Sequence, residues 1–90
     1  MTDEAPEFMN ALILVIDDED TQRLLTRDCL EEEGFKVEDV SNGKDGLDQI
    51  RRLKPDLVLL DLMMPGIDGF EVCRQVRADS ETSNISIIVV

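Results

Sequence analysis

Residues 11–18, ALILVIDD, decide the fold, and residues 57–61, LVLLD, repeat their form. Each is a short run of Leu, Ile and Val that ends on aspartate: Asp17 and Asp18 in the first, Asp61 in the second. Short apolar runs of this composition read as strands buried on both faces, as in a parallel sheet. Open parallel sheets bind ligands outside the carboxyl ends of their strands. The three aspartates are therefore expected to converge at one functional edge. Alone they repel one another. A hard cation relieves that repulsion, and a carboxylate facing a cation can accept a phosphoryl group.

The rest of the chain alternates around these runs. Residues 1–10 read as a flexible polar leader. A first strand at about residues 12–16 is followed by a helix that Asp18 or Glu19 opens and that runs to about Glu33. The acids in its first turn suit the positive end of the helix dipole. Leu25, Cys29 and Leu30, with Gln22 one turn earlier, form its expected inward stripe. Gly34 ends the helix and Phe35 carries the chain back toward the sheet. KVEDV at residues 36–40 is a shorter, more polar strand, expected at an edge. After a turn at residues 41–43, Leu47, Ile50 and Leu53 mark a second helix. Pro55 separates it from the third strand at residues 57–61. A loop containing Pro65 and Gly66 follows. Asp68 can cap a third helix from about Gly69 to Ala78, with Phe70, Val72, Cys73 and Val76 as its apolar positions. ISIIVV at residues 85–90 reads as a fourth strand.

Alternation of this kind, with short right-handed crossovers, gives an α/β doubly wound parallel sheet. The flavodoxin type has strand order 2-1-3-4-5, which sets the first and third strands side by side. Asp17, Asp18 and Asp61 then meet across adjacent strand ends.

Composition excludes several function classes. Ninety residues make one small domain at most. A net charge of −12 argues against nucleic-acid or anionic-membrane binding by this segment and favours basic partners or metal ions. Phe8, Phe35 and Phe70 are the only aromatics, too few for a base-stacking platform. No apolar run nears the ~20 residues of a membrane span. The acidic start lacks the features of a signal peptide. Cys29 and Cys73 form no CxxC and are expected reduced and partly buried, in a cytoplasmic protein. DDEDTQ at residues 17–22 is not an EF-hand loop, which needs Gly at its sixth position and Glu at its twelfth.

VIDDED at residues 15–20, LLDLMMPGIDG at residues 59–69 and the element order between them resemble the receiver domain of a two-component response regulator (CheY-like). The resemblance runs from Leu12 to Val90. It implies that Asp61 is the phosphoacceptor, taking a phosphoryl group from a histidine kinase or histidine phosphotransfer protein. It implies that Asp18 binds Mg²⁺ directly, that Asp17 holds the metal through water, and that Met63 contributes its backbone carbonyl. Pro65 and Gly66 match the turn that shapes the loop after the acceptor, and Gly69 matches the start of the third helix. The side chains of Met63 and Met64 are expected to pack rather than coordinate. The implied protein catalyses its own phosphorylation and turns over no external substrate, so it is not expected to be a conventional enzyme.

The family pattern also calls for a Ser or Thr at the end of the fourth strand and a Lys at the end of a fifth. Neither is found at such a position here: Thr82, Ser83, Ser86 and Lys54 sit at the opposite edge, and Lys36 and Lys44 flank the second strand. Residues 11–90 are accordingly expected to form a receiver domain lacking its final third, with strand order 2-1-3-4 and without the fifth strand and last two helices. An alternative expectation is a fragment that does not switch and acts as an interaction module, self-associating through residues 85–90.

Overall fold

The computed structural model describes residues 11–64, 66 and 68–90. The expected leader at residues 1–10 and the turn residue Pro65 lie outside the described residues. The elements are β1 (Leu12–Ile16), α1 (Asp20–Glu32), β2 (Lys36–Val40), α2 (Gly43–Leu53), β3 (Leu57–Leu60), α3 (Gly69–Ala78) and β4 (Ser86–Val89). The strands form one parallel sheet in the order β2-β1-β3-β4. This is the doubly wound, flavodoxin-like arrangement that the alternation of elements implies.

Side-chain caps start each helix. The Glu19 carboxylate accepts from the backbone N–H groups of Thr21 and Gln22 ahead of α1. Asn42 accepts from Asp45 N at 2.8 Å ahead of α2. Asp68 accepts from Glu71 N at 2.9 Å ahead of α3, as its position suggested. Each bond satisfies a donor that the first helical turn leaves unpaired. Gly34 follows α1 at φ 97°, a left-handed conformation open to glycine, and lets Phe35 N return to Leu30 O at 3.2 Å.

Alternate residues of each strand feed opposite faces of the sheet. On one face Leu14, Ile16, Val58 and Leu60 pack with Leu47 and Ile50 of α2, Val72 and Val76 of α3, and Met64. On the other, Ile13, Val15 and Val37 pack with Leu30 of α1, Phe35, Leu57 and Leu59. The first face is the larger core, and two helices cover it.

Several side-chain placements differ from the sequence reading. The face of α1 nearest the sheet carries Arg23, Thr26, Arg27 and Leu30, while Gln22, Leu25 and Cys29 are exposed. Asp39 on β2 pairs with both arginines and holds them on that face. Leu25 and Cys29 lie more than a quarter-turn of the helix away from that face. Cys29 is thus an exposed thiol and Cys73 a half-buried one. Phe70 is 70% exposed, because Gly69, Val72 and Val76 define the inner face of α3. Met64 is buried as expected, but Met63 is 86% exposed. Among the described residues no helix is long and apolar enough to cross a membrane.

Candidate functional site

Parallel pairing sets the site. Ile16 is level with Leu60, so the residues that follow them leave the sheet side by side. Asp61 N donates to Ile16 O at 3.0 Å, and Asp17 N donates to Val40 O at 3.2 Å. These bonds carry the ladder one residue past the strands and hold both aspartates at the carboxyl edge. Asp17, Asp18 and Asp61 each offer one carboxylate oxygen within 4.8 Å of the others. The structure therefore brings together the three acids that the strand ends singled out.

The acids differ in environment. Asp17 is buried, Asp61 half-buried and Asp18 exposed. Burial pushes the Asp17 carboxyl above its ordinary value of 3.8. The Glu19 N–H, bonded to Asp17 Oδ1 at 3.0 Å, opposes that shift, while the neighbouring charges of Asp61 and Asp18 add to it. A buried acid facing two others is short of positive charge. Three hard oxygen donors converging on one point fit Mg²⁺, which takes few protein ligands and keeps several waters.

The loop after Asp61 is held at several points. Met63 N donates to Asp61 Oδ1 at 2.9 Å and so orients the carboxylate from its own loop. Buried Met64 pins that loop into the larger core. Gly66 takes φ 81°, which suits glycine at the turn. Gly69 lets the start of α3 press against the loop: a Cβ there would lie 2.6 Å from Leu62 Cα and 2.9 Å from Asp61 O. The end of β4 also reaches this edge, where Val90 N donates to Leu60 O at 2.9 Å.

The polar residues set apart from the site do lie apart from it. Lys54 Nζ is 3.5 Å from Glu81. Thr82 Oγ1 donates to Val76 O at 2.9 Å, beside the end of α3. Sequence reasoning missed Arg23, whose Nη1 donates to the Asp17 carbonyl at 2.8 Å. Its partner Asp39 lies 16 positions away on another strand, so no local spacing marks it.

Residues 13–90 match the family model of the response regulator receiver domain. The chain is 44% identical over 80 residues to protein PilH of Pseudomonas aeruginosa, spanning 89% of this chain and 66% of that one. It is 46% identical over 74 residues to the DNA-binding response regulator MtrA of Mycolicibacterium smegmatis, spanning 82% of this chain but only 32% of that protein. Among solved structures, the N-terminal domain of a response regulator receiver protein from Methanoculleus marisnigri superposes with a TM-score of 0.85 at 32% identity, over 88% of this chain and 64% of that one.

Proposed function

The chain belongs to the response regulator receiver domain family of two-component signalling, and from that premise we propose that it accepts a phosphoryl group on Asp61 in a Mg²⁺-dependent reaction. The observation that carries this reading is the convergence of Asp17, Asp18 and Asp61 within 4.8 Å at adjacent strand ends. Asp17, Asp18, Asp61 and the Met63 backbone carbonyl would hold the ion. When bound, Mg²⁺ offsets the charge of the carboxylates and of the phosphoryl oxygens.

The chain's own residues do the rest. Met63 N–H and the strand-end bond from Asp61 N to Ile16 O keep the Asp61 carboxylate in place. One carboxylate oxygen forms a bond to phosphorus as the bond to the donor's leaving group breaks, giving an acyl phosphate on Asp61. The buried Asp17 adds negative charge beside Asp61 for the ion to bind. Gly66 and Gly69 shape the loop that carries Asp61. The proposed donor is a histidine kinase or histidine phosphotransfer protein in the cytoplasm. The product stays on the protein, so no external substrate is turned over. Charge leaves this segment a poor binder of nucleic acid or membrane.

A second reading, self-association through residues 85–90, draws on the exposure of Ile88 (51%), Val89 (42%) and Val90 (66%) at the outer strand. An apolar outer strand can pair with another chain. The family match favours the first reading.

Intact mass after incubation with a small acyl-phosphate donor, with and without Mg²⁺, tests the proposal. A gain of one phosphoryl group that needs Mg²⁺ and is lost in Asp61→Asn supports it. No gain on a folded sample refutes it.

A further inference from the structure

Arg23 reaches the acidic site through the backbone. Its side chain is only 17% exposed although it projects from α1. One guanidinium makes three bonds: Nη1 to the Asp17 carbonyl at 2.8 Å, Nε to Asp39 Oδ1 at 3.1 Å and Nη2 to Asp20 Oδ1 at 2.7 Å. Asp17 follows β1, Asp39 belongs to β2 and Asp20 opens α1. The planar fork therefore ties together three elements around the link at residues 17–20. Asp17 and Asp18 both ride on that link. Arg27 makes an instructive contrast: it pairs with the same Asp39 and with Glu31, and the bonds it makes lie away from the link.

We propose that Arg23 is a positioning residue for the acidic site, fixing through the Asp17 carbonyl the direction in which the Asp17 and Asp18 carboxylates point. The inference rests on reading those acids as a divalent-cation site. It carries a sign that simple electrostatics does not. Removing a positive charge near a cation site should tighten cation binding. Removing a clamp that orients the ligands should weaken it, as loss of supporting bonds does at metal sites.

The test compares Arg23→Gln with Arg27→Gln. Each variant loses one positive charge and one ion pair with Asp39, but only the first loses the bond to Asp17. Mg²⁺ affinity by calorimetry and hydrogen exchange of the Glu19 amide in metal-free protein are the readouts. Arg23→Gln should weaken Mg²⁺ binding by about tenfold and speed exchange at Glu19. Arg27→Gln should change affinity by no more than about twofold, because its bonds to Asp39 and Glu31 touch neither Asp17 nor Asp18. Equal effects of the two variants, or tighter Mg²⁺ binding by Arg23→Gln, overturn the proposal. If Arg23→Gln does not fold, Arg23→Lys keeps the charge without the fork and takes its place in the comparison. Absence of Mg²⁺ binding by the unaltered protein would overturn the cation-site reading instead, and the exchange of Glu19 would then decide the positioning role by itself.

Discussion

Replacing Asp17 with asparagine should stabilise the metal-free protein and remove its response to Mg²⁺. Asn keeps an Oδ1 acceptor for the Glu19 N–H, so the perturbation is mainly the loss of charge. Oxygens within 4.8 Å of one another repel by at least about 3.5 kcal/mol at an effective dielectric near 20, and by at least about 0.9 kcal/mol when fully solvated. Asp18 is exposed and belongs near the lower figure; Asp61 is half-buried and lies between them. The expected gain is about 1–3 kcal/mol, or a rise in Tm of at least ~4 °C for a domain of this size. Mg²⁺ at tenfold excess over its Kd should stabilise the unaltered protein by about 1.4 kcal/mol and the variant far less. The pH dependence has a defined sign. Because the folded protein raises the Asp17 carboxyl above 3.8, the folded state holds that proton more tightly than the unfolded chain. Stability is then lost as pH rises from the ordinary value through the raised one, and stays lost at neutrality. Asp17→Asn lacks this loss, so the gap between variant and parent should open across that window. Urea midpoints with and without Mg²⁺, from acid to neutral pH, measure all of this. Destabilisation by Asp17→Asn without metal, or equal Mg²⁺ stabilisation of both proteins, would refute the reasoning.

Other perturbations separate the site from the scaffold. Gly69→Ala places a Cβ against the backbone of Leu62 and Asp61; it should lower stability by about 1–3 kcal/mol and also slow labelling of Asp61 by an acyl-phosphate donor. Gly46→Ala sets its Cβ 2.6 Å from Ile16 Cδ1 and 3.1 Å from Ile16 Cγ1, so the wholly buried Ile16 side chain must shift. A fall in the urea midpoint worth about 1–3 kcal/mol, at unchanged slope, is expected. Thr82→Val removes the hydroxyl that donates to Val76 O. It should cost about 1 kcal/mol in denaturant titration and leave Asp61 labelling as it was, since that bond closes the far end of α3.

The elements that sequence reading located best are those whose signal is local. A run of Leu, Ile and Val five residues long becomes β1, and Leu47 and Ile50, one turn apart, become the buried side of α2. Cap positions behave likewise, because Asp68 reaches only three residues ahead. The reading failed where a distant residue decides. Leu25 and Cys29 have the spacing of an inward stripe, yet α1 turns Arg23 and Arg27 to the sheet, where Asp39 pairs with both. Phe70 has the hydrophobicity of a core residue and lies outside, since Val72 and Val76 already fill the inner face of α3.

The sequence by itself determined the strands, the helices, their alternation and the placing of Asp17, Asp18 and Asp61 directly after apolar runs. Those features follow from side-chain periodicity and chain connectivity, which act over a few residues. Only the tertiary structure decided how close the three carboxylates stand, which of them is buried, and that Arg23 grips the link beneath two of them. Asp61 comes level with Asp17 through the register of β1 against β3, and Arg23 meets Asp39 across two elements. Such contacts join residues far apart along the chain, and their energies depend on distances and burial that exist only once the sheet has closed and its helices have packed.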